Sequence, residues 1–593
     1  MCRCGWANIT SPWKDRQERY SLHNSGRTLP RWTLKASNRF LSFAPAGWLL
    51  ALTVAAYAGV VDNGFCLDDT GIVTNNRLVA TASWGDLWTS SYWQGVTGDR
   101  GGLYRPLTLS LITLQRSLFG ESPGPYHLVS LLLQAVAGIS LAVAVRCLGS
   151  PPGVAWFAGA LLCVHPAASE AVNSVVGTAD QLAFIGGLTG AMLLIRSQTW
   201  GATMLAALLI AVAALAKESA AVFAVGALVA LLRYDRRSLP LLCASASLVL
   251  PIVLRAAITG RLGPGGIGFL DNPLAFADVL TRCLNAPALV VRYLLLVIFP
   301  WPLSADYSYD ALPVLVLSDP ASWLPPLLLC VSSLAVLGVW LRRRPCATLW
   351  AAVTVAVLAL VTHVAVPVGT IFAERLAYPL VAVVGLLAAG AFSELRHRHG
   401  VGTGWGIAAI LLLLFVSLDR HRTSEWRDDG ALFSSALRVP NRSARVHYGW
   451  GRWLQLGGDH EAAINAYEKA LLIHPRYPDA LHNRGAALLS LGRRLEALSS
   501  YIAAARARPA HVKALFAIAV LRETLEDPEA SAAYAEVLRH QPHHVGAARG
   551  AARCLSRSGD EAAAREVLRR AFGAGAAAEW DRLPTQRPPA MGD

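Results

Sequence analysis

The chain has 593 residues, 54% of them hydrophobic and 16% charged, with a formal net charge of +14. So apolar a composition excludes an ordinary soluble enzyme and predicts a polytopic membrane protein. The positive charge lies in short clusters, without a basic stripe interleaved with aromatics, which argues against a nucleic-acid binder.

Residues 1–40 read as a basic cytoplasmic tail carrying Arg3, Lys14, Arg16, Arg19, Arg27, Arg31, Lys35 and Arg39. It lacks a short apolar core followed by a small-residue cleavage site, so the first apolar run, 41–61, is expected to be an uncleaved anchor. Runs of spanning or near-spanning length follow at 126–148, 153–168, 179–196, 200–216, 218–232, 239–257, 321–341, 346–366, 372–392 and 404–418. Together they predict about eleven crossings in a transmembrane domain of residues 41–420, with an extracytoplasmic loop at 62–125. Basic clusters at Arg233/Arg236/Arg237, Arg342/Arg343/Arg344 and Arg396/Arg398 share the tail's side, which places the N-terminus in the cytoplasm. That parity requires 275–300, broken by Arg282, Asn285, Pro287 and Arg292, to be re-entrant or peripheral. Ten scattered cysteines without a CxxC pair suggest neither a disulfide framework nor a zinc site.

Polar residues that interrupt the apolar runs collect on the outer side. They are Asp68-Asp69, Tyr104-Arg105, His127, His165, Glu170, Asp180, Lys217-Glu218, Asp306-Tyr307 and Glu374-Arg375. Such one-sidedness predicts a single polar cavity opening outward, because ionisable groups near a membrane core mark function. A carboxylate there takes a proton from a hydroxyl, and arginine forks suit phosphate oxygens, which together suggest group transfer from a phosphate-bearing donor. The structural alternatives are plain: the Asp pair as a helix cap or solvated turn, Lys217-Glu218 and Glu374-Arg375 as ion pairs locking helix ends, and His165-Pro166 as a helix stop.

After a linker at 421–442 the composition turns charged and alanine-rich. Prolines 440, 475, 509 and 542 and tyrosines 467, 501 and 534 recur at about 33–35 residues, with Gly458, Gly492 and Gly559 at the inner turns and Glu526 in the third unit's place. About four tetratricopeptide repeats are expected over 443–576, forming an α-solenoid whose concave face binds peptide or protein. Their histidines are expected at the surface, and 577–593 as a disordered tail.

The order of motifs, namely Asp-Asp after the first span, Tyr-Arg-Pro-Leu at 104–107, Tyr-His at 126–127, His-Pro-x-x-x-Glu from 165, Asp-Gln-Leu from 180, Ala-Lys-Glu from 216, Asp-Tyr from 306, Ala-Glu-Arg-Leu from 373 and then the repeats, resembles the transmembrane and tetratricopeptide-repeat-containing protein O-mannosyltransferases. The resemblance covers about 44–576. It implies an all-α fold: a GT-C glycosyltransferase bundle of about eleven spans followed by the repeat solenoid. It further implies transfer of a mannose-like sugar from a polyprenyl-phosphate carrier to hydroxyl groups of extracytoplasmic proteins, with inversion at the sugar carbon.

On that resemblance Asp68 or Asp69 is the general base, and Arg105 and Arg375 contact the donor phosphate. Tyr104, His127, His165, Glu170, Asp180, Lys217, Glu218, Asp306, Tyr307 and Glu374 line the cavity. The lipid-linked sugar is then the donor substrate, with a divalent cation possible and no protein-held metal assigned. Acceptor proteins are the partners, recruited by the repeats. Low lysine with abundant Ala, Gly and Arg points to a bacterial cytoplasmic membrane. The competing reading is a non-enzymatic membrane-anchored repeat scaffold, for which so many spans with a one-sided charged cavity are excessive.

Overall fold

The computed structural model describes residues 43–582 apart from 82, 99–101, 235–236, 262–265, 344–347 and 440–441. The basic tail 1–40, Arg236, Arg344 and Pro440 lie outside the described residues, as do the side chains of Arg342 and Arg343. Among the described residues the regular structure is entirely helical, an apolar membrane bundle followed by a solenoid of helix pairs.

Among the described residues six helices are long and apolar enough to cross a bilayer: Pro123–Cys147, Val175–Arg196, Ser238–Thr259, Val279–Ile298, Glu374–His399 and Val401–Glu425. The pair Pro152–Val164 and Pro166–Asn173, bent by 57°, makes a further one if it is a single span. Shorter apolar helices cover Pro45–Ala56, Trp200–Ala216, Pro320–Val336 and Thr348–Val361. The stretch 275–300, expected to be re-entrant or peripheral, holds one continuous helix, Val279–Ile298, of spanning length. Asp278 caps it by accepting the Thr281 N–H at 2.7 Å, and Pro287 lies inside without ending it. Asn285, whose polarity suggested a break, is buried and exchanges hydrogen bonds with the Leu315 backbone. Conversely, the expected span at 218–232 is a helical turn, Glu218–Ala220, leading into a 14-residue helix, Ala221–Tyr234.

Small residues let the bundle close. A Cβ on Gly138 would lie 2.3 Å from Cys163 Sγ, and one on Gly159 would lie 2.4 Å from the Gly138 carbonyl, so the helices Pro123–Cys147 and Pro152–Val164 touch backbone to backbone.

The expected loop 62–125 is itself folded. Short helices Arg77–Thr81, Trp84–Trp88 and Gln94–Thr97 and the longer Pro106–Phe119 share a core of Ile72, Val79, Leu87, Tyr92, Leu109 and Ile112. The segment 421–442 is likewise more than a linker. It holds the end of Val401–Glu425 and the helix Asp429–Arg438, which Asp428 caps by accepting the Ala431 N–H at 2.8 Å.

Four helix pairs follow, Ala444–Leu456 with His460–Ile473, Pro478–Ser490 with Arg494–Ala507, Val512–Thr524 with Ala530–His540, and Val545–Arg557 with Glu561–Phe572. The recurring tyrosine packs on a glycine of an adjacent helix: Tyr467 and Tyr501 on Gly451 and Gly485 of the preceding helix, where a Cβ on Gly485 would stand 2.8 Å from the ring, and Tyr534 on Gly550 of the following one. At the inner turns Gly458, Gly492 and Gly559 have φ of 84°, 76° and 86°, and Glu526 takes the same left-handed place at 56°. The histidines are not all at the surface. His511 is buried, and its Nδ1 accepts the Ala514 N–H to cap a helix. Part of the expected disordered tail is ordered, because 576–582 is helical and Glu579 holds Arg549 at 2.7 Å.

Candidate functional site

The acid pair sits on a short segment fixed by long-range hydrogen bonds. The Gly64 N–H donates to the Arg427 carbonyl at 2.8 Å, the Asn63 amide donates to the Thr423 carbonyl at 3.0 Å, and the Leu67 N–H donates to Asp429 Oδ1 at 3.0 Å. His127 supports it from below, with Nε2 3.4 Å from the Gly64 carbonyl. Leu67 is held at φ 51°, a strained conformation for a branched side chain, directly before Asp68. The segment 423–429, read in the sequence as part of a linker, therefore sets where the acids point.

The two acids do different things. Asp69 is fully buried and accepts the Val175 N–H at 2.9 Å, the Val176 N–H at 2.8 Å and the Ser174 hydroxyl at 3.0 Å. Burial pushes its carboxyl up to about 7, against those three donors, with the neighbouring Asp68 charge adding to the rise. It is the cap that the bland reading of the pair expected, applied to a turn more than a hundred residues away. Asp68 keeps 39% of its side chain exposed, with Oδ2 3.7 Å from Arg375 Nη2.

Around Asp68 the structure gathers most of the expected charged residues. Glu170 accepts the Arg375 backbone N–H at 2.8 Å and its Nη1 at 3.0 Å. Lys217 Nζ lies 2.6 Å from Asp180 Oδ2. Arg105 donates Nε and Nη2 to Glu218 Oε2 at 3.1 and 2.9 Å. These pairs feel one another: Arg375 lies within electrostatic range of Asp68 and Asp180, and Lys217 within range of Arg105 and Arg375. Sequence neighbours thus part company, as adjacent residues on a turn must: Lys217 goes to Asp180 while Glu218 goes to Arg105.

Glu374 belongs to a second knot, accepting from the Ser304 N–H at 2.8 Å and the Tyr307 hydroxyl at 2.8 Å, with Arg422 Nη2 at 3.3 Å. Asp306 turns toward the repeats. It accepts the Ser443 hydroxyl at 2.7 Å and lies 3.6 Å from Arg445, which also pairs with Asp271. Three further expected lining residues are also outside the Asp68 cluster. The Tyr104 hydroxyl donates to the Trp88 carbonyl at 2.8 Å, His127 holds the acid segment, and His165 Nε2 donates to the Val297 carbonyl at 3.0 Å while its Nδ1 accepts the Ala167 N–H.

Two residues of these networks, one in the cluster and one in the second knot, escaped the sequence reading. The ring of Tyr92 carries Arg105 at 5.4 Å, and burial raises its phenol. Arg422 anchors Glu374 from the last membrane helix. Tyr92 lies in the polar stretch Ser90-Ser91-Tyr92-Trp93, where nothing local marks it, whereas Arg422 was visible as a charge at the end of a span. Among the described residues no group of three or more His, Cys, Asp or Glu is placed to hold a metal ion. What the cluster offers is a partly exposed carboxylate, Asp68, beside Arg375, with Arg105 and Lys217 held by other acids in the same charged network.

Comparison with known proteins follows the same architecture. The TPR repeat family matches residues 455–492. Protein O-mannosyl-transferase TMTC3 of Mus musculus is 24% identical over 512 residues, covering 79% of this chain and 55% of that protein. Protein O-mannosyl-transferase TMTC4 of Homo sapiens is 28% identical over 484 residues, covering 70% and 64%. Over most of its length the chain is thus similar to the TMTC protein O-mannosyl-transferases. It spans only about half to two thirds of the length of these relatives. Among solved structures, the crystal structure of MamA is 14% identical with a TM-score of 0.23, covering 27% of this chain and 91% of that one, a likeness too low to carry any argument.

Proposed function

We propose that this chain, like the TMTC proteins it resembles, is a protein O-mannosyl-transferase, and that it is of GT-C type. It moves a mannose-like sugar from a polyprenyl-phosphate carrier to hydroxyl groups of proteins on the extracytoplasmic side of a bacterial cytoplasmic membrane. The observation that carries the reading is the division between the two acids: Asp68 is accessible and lightly held, while Asp69 is saturated by three donors. Asp68 then removes the proton from the acceptor hydroxyl as its oxygen attacks the anomeric carbon from the face opposite the carrier. The bond to the phosphate breaks with its electron pair leaving on the phosphate oxygen, so the sugar carbon inverts.

Arg375, tied to Glu170, orients Asp68. The donor phosphate fits the Arg105 side of the cluster, where Lys217 lies within electrostatic range and offsets charge developing on the leaving group. The first repeat helix begins beside the acid segment: Ser443 and Arg445 bond to Asp306, so a chain lying on the repeats is delivered at the cluster. The test is the mass shift of extracytoplasmic proteins in cells carrying the chain. Wild type adds the sugar and Asp68→Asn adds none, whereas an unchanged shift with Asp68→Asn overturns the base assignment.

A further inference from the structure

The helix Ser238–Thr259 stands at the rim of the bundle, with Val249, Leu250, Ile252 and Val253 exposed as a face suited to acyl chains. One turn before its end, Arg255 faces the cluster instead of the lipid, within electrostatic range of both Glu218 and Arg105. Its Nε and Nη2 are buried and make no hydrogen bond, and Glu218 Oε1 is buried and equally without a partner. Arg105 already takes Glu218 Oε2 with two of its nitrogens, and Lys217 is taken by Asp180. One carboxylate therefore stands between two guanidinium groups, and the one nearer the lipid has donors to spare. A snorkelling arginine would carry its nitrogens out to water or headgroups; these two are turned into protein.

We propose that Arg255 is the phosphate-binding residue that a lipid-linked donor meets first, completing with Arg105 an anion site on the lipid-facing side of Glu218. The donor's apolar chain lies along the exposed face of Ser238–Thr259 while its phosphate accepts from Arg255 Nε and Nη2 in the planar fork geometry that arginine provides. The assignment rests on the reading of the cluster as a lipid-phosphate-dependent transferase. It shifts the donor contact from Arg375, which Glu170 and Asp68 already hold, to a residue in a membrane helix.

The test is binding, not turnover, with the full chain in nanodiscs and three probes: a long-chain polyprenyl monophosphate, phosphatidylglycerol and inorganic phosphate. Arg255→Gln is expected to weaken polyprenyl monophosphate binding about tenfold or more, and Arg255→Lys, which keeps the charge but loses the fork, by an intermediate amount, with the other two probes unchanged. Equal binding by wild type and Arg255→Gln overturns the assignment. So does an equal loss of phosphatidylglycerol or inorganic phosphate, which would make this a general headgroup or anion site.

Should Arg255→Gln fail to fold, Arg255→His, charged only at low pH, keeps the question measurable: relative to wild type it should bind better at about pH 5.5 than at about pH 8. Absence of that difference counts against the proposal. Transfer that still depends on Asp68 while Arg255 variants bind normally removes this inference alone. A wild-type chain that does not retain the polyprenyl monophosphate removes the donor class with it.

Discussion

At the scale of residues, two adjacent aspartates differ because their neighbours differ. Asp69 accepts three hydrogen bonds in a dry site, and Asp68 meets water and Arg375. Asp69→Asn cannot accept from every one of those donors, and a buried donor left unpaired costs about 1–3 kcal/mol. Its melting temperature should fall, with residual folded protein still transferring sugar. A pH dependence follows as well. The folded chain holds the Asp69 proton to about 7, whereas an unfolded aspartate releases it near ~3.9. Between those values the folded state binds the extra proton, so this group's contribution makes folding less favourable as pH rises, on the order of 4 kcal/mol across the window. Melting temperatures taken through about pH 4 to 8 should drop more steeply for wild type than for Asp69→Asn. Parallel curves would contradict the burial of a titrating Asp69.

At the scale of elements, the repeats offer a direct check on backbone strain. Glu526 sits at φ 56°, where the other three units use glycine, and a left-handed non-glycine residue costs roughly 1 kcal/mol. Glu526→Gly should raise stability by about 0.5 kcal/mol after glycine's greater entropy loss is subtracted, read as a higher denaturant midpoint; a loss of stability would contradict the turn assignment. That position was legible in the sequence because the period named the turn before any coordinate did. So were the apolar helices and the charges near their ends, since burial pattern and span length are local signals. The continuity of 279–298 was not legible. Asn285 looks like a break until Leu315, thirty residues away, exchanges two hydrogen bonds with it while the Thr281 carbonyl takes a third. Nor could the sequence say which aspartate is the cap, because the capped turn at 175–177 is remote in the chain.

At the scale of the whole molecule, the acid segment is clamped between the membrane bundle and the start of the repeats. Gly64 and Leu67 bond to Arg427 and Asp429, and the helix Asp429–Arg438 packs Phe433 and Ala436 with Leu67 and Val446. A chain truncated after residue 438 keeps this clamp and should still modify a small hydroxyl acceptor while losing protein acceptors. One truncated after residue 425 loses the clamp and should lose turnover altogether. Equal activity of the two truncations would show that the segment 426–438 does not position Asp68. The scaffold reading predicts instead that neither truncation, nor the intact chain, turns over any acceptor.

The most direct measurement compares the two acids in one assay. Purified full-length wild type, Asp68→Asn and Asp69→Asn are given a polyprenyl-phosphate-linked sugar and a hydroxyl acceptor, with product read by mass spectrometry and folding by thermal unfolding of the same samples. The account predicts no product from a fully folded Asp68→Asn, and product in proportion to the folded fraction from a destabilised Asp69→Asn. Transfer at the wild-type rate by Asp68→Asn would contradict it.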